Sequence, residues 1–347
     1  MTLLLAIAVF GLIIFVHELG HFIAAKTAGI TVYEFTIGFG PAILKKKIGE
    51  TLYAVRLLPV GGAVVMKDID EEPPEDIDPA EWTLEGSFQE ASWLRRFAVV
   101  VAGSFMNFIT GVLIIFLVLL PAGYAAEPVI SELAEGFPED APLKVGDRIV
   151  EVSGVHIFTY NDISLGLQLG AGEPFDFVVE RDGEKLKFDD VVLEAKDYDG
   201  TGQLRYGFTF GYEELSMFDK VKYSFNNALS FFQSAYKSIG MLIGGKADTS
   251  DLVGTVGIAS EIGARAEQSM ADMWYFVAYI AVNLSFVNML PIPGLDGGKL
   301  IFMLIELICR KPIDPKWENY ISYAGLALIM ALFVFVTYND IVRLIAG

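Results

Sequence analysis

His17 and His21 in "HELGH" stand four residues apart, so on a helix they share one face and both imidazoles can reach a single metal ion. Glu18 adjoins that face, where a carboxylate can handle the proton of a metal-bound water. The motif lies in "FVHELGHFIAAK" (15–26), which continues the uncharged run "MTLLLAIAVFGLIIF". Ionisable groups at membrane depth are costly and usually functional, which favours a metal site over a pair of satisfied structural histidines.

Two imidazoles leave a catalytic zinc one protein ligand short of the usual three plus an open position. Cys309 is the only cysteine, so neither an internal disulfide nor a Cys-rich zinc site can form. The remaining histidine, His156, falls in an aqueous stretch on the far side of the membrane and reads as a surface residue. Asp296 in "NMLPIPGLDGGKL" is the better candidate. Pro291 and Pro293 stop a helix there, and Gly294, Gly297 and Gly298 permit an unwound segment before "KLIFMLIELI" resumes. Asp296 could instead merely N-cap the resumed helix; the missing ligand favours the metal.

The elements that must carry these residues are membrane-spanning. Of 347 residues 53% are hydrophobic, and the mean hydropathy is +0.48, which fits a multi-pass chain with a soluble part. Four segments approach the roughly 20 apolar residues needed to cross a bilayer: 3–25, 97–120, 273–309 (interrupted) and 321–345. With no basic n-region and no cleavage pattern, the first is expected to be a retained span. "LKKK" (44–47), Arg95 with Arg96, and Arg310, Lys311 and Lys316 all fall on one membrane face, expected to be cytoplasmic; Arg343 dissents. Both termini and the region 122–272 are then extracytoplasmic. Entering from opposite chain directions, His17, His21 and Asp296 arrive at similar depth, toward the cytoplasm.

The net charge of −19 is concentrated in 67–90 and 127–200, which must be aqueous. Such acidity argues against nucleic-acid binding. Between the first two spans, "YEFTIGFGPAILKKKIGETLYAVRLLPVGGAVVMKD" reads as short strands and turns, either a β-hairpin dipping toward the site or an ordinary surface hairpin. The four expected regions are 1–123, with two spans, the hairpin and an acidic loop; 124–197, an inserted α+β domain; 198–272, a linker with an amphipathic helix; and 273–347, the last two spans. In 124–197, "DRIVEVSG", the helical "YNDISLGLQLG" and the hairpin "FDFVVERDGEKLKF" with its Asp182-Gly183 turn resemble a PDZ domain. No Gly-Leu-Gly-Phe loop is evident, so a steric or spacer role stands beside peptide capture. The segment 217–246 is expected to be an interfacial helix on the membrane surface, or else a helix packed on the soluble domain.

"FVHELGHF", "IGFG…LLPVGG…MKD", "VVAGSFMNF" and "NMLPIPGLDGG", in this order, resemble the site-2 protease family of intramembrane zinc metalloproteases, and more narrowly the bacterial branch with four spans and an extracytoplasmic PDZ domain. The resemblance implies that His17, His21 and Asp296 ligate Zn2+ and that Glu18 is the general base. It implies that Asn288 and the Pro291 segment contact or position substrate, and that the hairpin near Gly61 and Gly62 presents it in extended form. One departure is Ser104, where the family pattern Gly-Pro-x-x-Asn has proline; this bears on Gly103 and Asn107, not on the metal ligands.

The expected activity is endopeptidase cleavage of transmembrane segments of single-span membrane proteins, such as anti-sigma factors or signal-peptide remnants, by an enzyme of the cell membrane. A divalent-metal transporter and a non-catalytic zinc-binding PDZ scaffold are the alternatives. Transport would need more spans and ionisable groups strung across the bilayer, and a scaffold would not need Glu18. The sequence specifies no oligomeric state.

Overall fold

Four helices are long and apolar enough to cross a membrane in the computed structural model, which describes residues 2–69, 82–198, 202–245, 253–311 and 313–346. The chain is a membrane protein built as two compact units, Met1–Ile114 with Met241–Gly347, and Ile115–Gly240. Of the acidic run 67–90, residues 70–81 lie outside the described residues.

The first unit holds α1 (Thr2–Thr27), β1 (Val32–Ile48), β2 (Thr51–Met66) and most of α2 (Trp93–Leu119). Four later helices of the chain complete it: α5 (Thr255–Gln268), α6 (Met270–Asn288), α7 (Asp296–Cys309) and α8 (Pro315–Ala346). α1, α2, α6 and residues 316–343 of α8 are the spanning candidates. α7 has 14 residues, about 21 Å at 1.5 Å per residue, too short to cross alone. α6 and α7 are therefore the two parts of the interrupted segment, separated by 289–295 with its two prolines. α8 starts earlier than the apolar run, because Pro315 is favourable in a first helical turn and "KWENY" can be helical in water.

β1 and β2 are long strands that double back. Residues 34–37 pair with 62–65 on one side and with 52–55 on the other, while 52–55 also pair with 44–47. The inner portion is anchored by Val32 and Phe35, which are buried, and Phe35 packs edge-on against Phe15 and Phe22 of α1. Beyond Phe39 the strands are exposed, with Ile43, Leu44 and Ile48 beside three lysines.

α5 begins at Gly254, which has no side chain to cap the helix. Asp340 of α8 supplies the cap: its two carboxylate oxygens accept from Gly254 N and Gly257 N at 3.0 and 2.9 Å. The carboxylate is 4% exposed, so both amides depend on it.

The second unit is an antiparallel sheet with two helices. Its strands are β3 (Tyr124–Leu133), β4 (Arg148–Val152), β5 (Val155–His156), β6 (Phe175–Arg181), β7 (Glu184–Val191) and β8 (Phe208–Glu214), in the order β7-β6-β4-β3-β8 with β5 on β4. α3 (Asn161–Leu169) and α4 (Met217–Ile243) complete it. Ile130, Ile149, Val152, Phe177 and Val179 alternate inward to form the core. Asp182 (φ 53°) and Gly183 (φ 83°) make the two-residue turn between β6 and β7 that their sequence predicts.

β8 lies in the stretch read as linker. It pairs with β3 from Tyr124↔Glu214 to Leu133↔Phe208, and Phe208 and Phe210 pack against the core. The strand is short and long-range in its pairing, so no neighbouring turn announces it.

Replacing Asp340 with Ala strands two N–H groups at a helix start and is expected to cost about 1–2 kcal/mol. Faster hydrogen exchange confined to amides 254–258 of the full chain is the predicted readout.

Candidate metal centre

α1 places His17 and His21 one turn apart, both at most 9% exposed, with their Nε2 atoms 3.2 Å apart and their ring planes nearly perpendicular. Asp296, the first residue of α7, brings Oδ2 to 3.3 Å from each Nε2. Three ligand atoms each about 2.05 Å from a tetrahedral ion are separated by about 3.3 Å. The observed triangle of 3.2, 3.3 and 3.3 Å fits that requirement for zinc. Asp296 Oδ2 is buried without a hydrogen-bond partner among the described residues, as a ligand oxygen awaiting a cation would be. The helix-capping role is not taken: the N-cap position of α7 is Leu295, and no side chain caps it.

The tautomer of His21 is fixed from outside the triangle. Its Nδ1–H donates to the Val99 carbonyl of α2 at 2.8 Å, which leaves the Nε2 lone pair facing Asp296. His17 Nδ1 is buried with no partner among the described residues. Asn288, the last residue of α6, has Nδ2 3.5 Å from His17 Nε2.

Close helix approach makes the triangle possible. A Cβ on Gly103 of α2 would lie 2.7 Å from His21 Cδ2 and 2.8 Å from His17 Cε1, so both rings occupy the space a side chain would need. Ser104 and Asn107, on the same buried stretch of α2, are 1% and 0% exposed with unpartnered side-chain polar atoms among the described residues. At the start of α7, a Cβ on Gly297 would collide with the Met289 and Leu290 carbonyls, so only glycine lets 289–295 fold back. Trp93 Nε1 donates to Met303 O at 3.0 Å, and Arg96 pairs with both oxygens of Glu306 at 2.7 and 3.0 Å. These bonds fix α7 against the start of α2.

Glu18, Val64, Met66, Asp68 and Lys299 line a cavity of about 350 Å3 with His17, His21 and Asp296. Gly62 of β2 lies against Glu18; a Cβ there would be 2.7 Å from Glu18 Cγ. Gly61 (φ 81°) is packed against the Phe39 ring instead. Pro291 is exposed in the loop between α6 and α7. His156 is in β5 of the second unit.

Residues 5–332 match peptidase family M50. The chain belongs to that family. Zinc metalloprotease RasP of Geobacillus kaustophilus is 31% identical over 409 residues, covering 96% of each chain. The regulator of sigma-W protease RasP of Bacillus subtilis is 30% identical over 417 residues, covering 99% of each. As an M50 member the chain is a zinc metalloprotease acting within the membrane, and its cofactor is zinc.

The resemblance names Gly62 and Gly103; what the structure adds is that each leaves room for a neighbouring side chain, Glu18 in one case and the two histidine rings in the other. Gly103→Ala is expected to weaken zinc binding at least about tenfold while helix content stays unchanged, since an orientation error of an ångström misplaces both ligands. Zinc retained after dialysis against graded chelator, beside far-ultraviolet circular dichroism, measures both.

Proposed function

We propose that His17, His21 and Asp296 hold the catalytic zinc and that Glu18 is the general base for peptide hydrolysis inside the bilayer. The observation that carries this is the 3.2–3.3 Å ligand triangle, built from two helices of a membrane-crossing bundle, with Glu18 in the same cavity. Zinc there supplies Lewis acidity, polarising the scissile carbonyl and acidifying a water. Glu18 takes the proton from that water and delivers it to the leaving amine. The apolar wall of Val64, Val65 and Val99 keeps the carboxylate in a medium where its charge acts strongly. Asn288, beside His17, is placed to donate to a substrate carbonyl.

The substrates in this reading are transmembrane segments of single-span proteins. A helical segment hides its carbonyls in its own hydrogen bonds and must be unwound before attack. Residues 62–65 pair with 34–37 on one side, and Val64 and Val65 line the cavity, so an extended substrate strand can add along β2. Gly62 then keeps the backbone beside Glu18 free of a side chain. Pro291, exposed between α6 and α7, would border the same strand. Gly61, held against Phe39, shapes the bend of β2 rather than touching substrate.

The basic clusters in the outer part of β1, at the start of α2 and just after α7 support a cytoplasmic-facing site in the cell membrane. We read the second unit as a PDZ-like domain outside the cytoplasm, acting as a filter for substrates already shortened by another protease. The name of the Bacillus subtilis relative supports a substrate whose cleavage controls transcription, such as an anti-sigma factor; signal-peptide remnants are a second class. Ligands gathered at one point, not strung along a path, disfavour metal transport.

Glu18→Gln is expected to lower cleavage of a single-span reporter by about 10^3 or more with zinc content unchanged. Unchanged cleavage would reject Glu18 as the base. Asp296→Ala should instead lose the metal together with activity; a variant that kept stoichiometric zinc through chelator dialysis would remove Asp296 from the ligand set.

A further inference from the structure

α4 buries several polar residues against the sheet, together with Ala228, Phe231 and Ala235, and leaves a group of apolar residues exposed near its start, with Lys222 among them. On the side facing the sheet, Ser224, Asn227 and Ser230 are buried, and Ser230 Oγ donates to Asp162 Oδ1 at 2.7 Å. Gln233 exchanges two hydrogen bonds with the His156 backbone, at 3.2 and 2.7 Å, and Lys237 Nζ donates to Gly154 O at 2.7 Å. On the other side Met217, Phe218, Val221 and Tyr236 are 61%, 77%, 51% and 64% exposed. Residues 218, 221 and 225 form one helical stripe, and Phe225 is 47% exposed. A helix whose outer side meets only water seldom exposes such a stripe of large apolar side chains.

The start of this helix is tied to the end of a membrane span. Lys220 Nζ donates to Leu120 O at 2.6 Å, one residue past the end of α2, and Leu215 N donates to Gly123 O at 2.9 Å. α2 has 27 residues, about 40 Å, and no charged residue after Arg96, so it leaves the hydrocarbon near Leu120. Tyr124, just beyond, is 65% exposed, as aromatic residues at the membrane–water boundary are. The exposed apolar stripe therefore begins at the depth where acyl chains meet headgroups.

We propose that α4 lies in the interfacial layer of the leaflet where α2 ends, with Phe218 and Val221 among the acyl chains and its polar face bonded to the sheet domain. The occupant of the apolar face is lipid. The domain is then moored on the bilayer by a two-faced helix, not hung from the chain as a tethered body. This inference needs only that α2 crosses the membrane and is independent of the metal assignment.

The single cysteine makes a direct test possible in the full chain. In a Cys309→Ser background, Phe218→Cys, Val221→Cys and, on the opposite sheet edge, Lys185→Cys would be labelled with an environment-sensitive fluorophore. The labelled protein would be reconstituted in phosphatidylcholine–phosphatidylglycerol vesicles. Lipids spin-labelled high on the acyl chain should quench positions 218 and 221 at least about threefold more than position 185, with blue-shifted emission. Aqueous emission and iodide access at 218 and 221 equal to those at 185 would overturn the proposal. So would shielding from iodide without quenching by the lipid label, which would mean that protein, another part of this chain or a second copy, covers the face.

Discussion

Two imidazole nitrogens and a carboxylate oxygen can meet at 3.3 Å inside an apolar bundle only if something offsets the loss of water around them. In the reading proposed above a divalent cation would do so, and it would also fix how close the supporting helices must come. α1 and α2 approach at Gly103 until the histidine rings fill the place of a side chain. α7 turns back sharply enough for Gly297 to touch the carbonyls of the preceding loop. The charged Arg96–Glu306 pair and the Trp93 hydrogen bond then hold α7 in that position from its other end. Asp296 sits in the first turn of α7, where the helix dipole favours a carboxylate even though it caps nothing.

In the proposed reading the same constraint accounts for the hairpin. Chemistry at a buried metal requires an extended polypeptide, and extended polypeptide in lipid requires hydrogen-bond partners for its backbone. β2 offers them beside the cavity, and Gly62 lets its backbone reach Glu18 without a side chain between. Phe35 against Phe15 and Phe22 ties the inner half of the hairpin to α1, so Glu18, the two histidines and the strand share one support.

The parts of this arrangement set by local spacing were readable in the sequence. "HELGH" puts His17 and His21 on one face, the proline and glycine cluster breaks a helix ahead of Asp296, and Asp182-Gly183 makes a tight turn. What depends on long-range pairing was not. β8 joins β3 across more than seventy residues, and the hairpin doubles back so that 34–37 pair on both sides; neither feature has a periodicity of its own. The cap on α5 is invisible for the same reason, since Gly254 has no capping side chain and its acceptor is Asp340, near the end of the chain.

α4 shows why an amphipathic pattern alone does not name the face a helix buries. Its sequence allowed either a helix on the membrane or a helix on the domain, and both descriptions assume that the apolar side does the packing. Here the domain side is chosen by specific acceptors: the Asp162 carboxylate, the His156 backbone and the Gly154 carbonyl each find a donor on α4. Hydrogen bonds of that kind hold an orientation that apolar contact, being non-directional, would leave free to rotate. With these donors committed to the sheet and Lys220 fixed to the end of α2, Phe218 and Phe225 are left on the side away from the sheet. If α4 lies on the bilayer as proposed, the two alternatives in the sequence are the two sides of one helix.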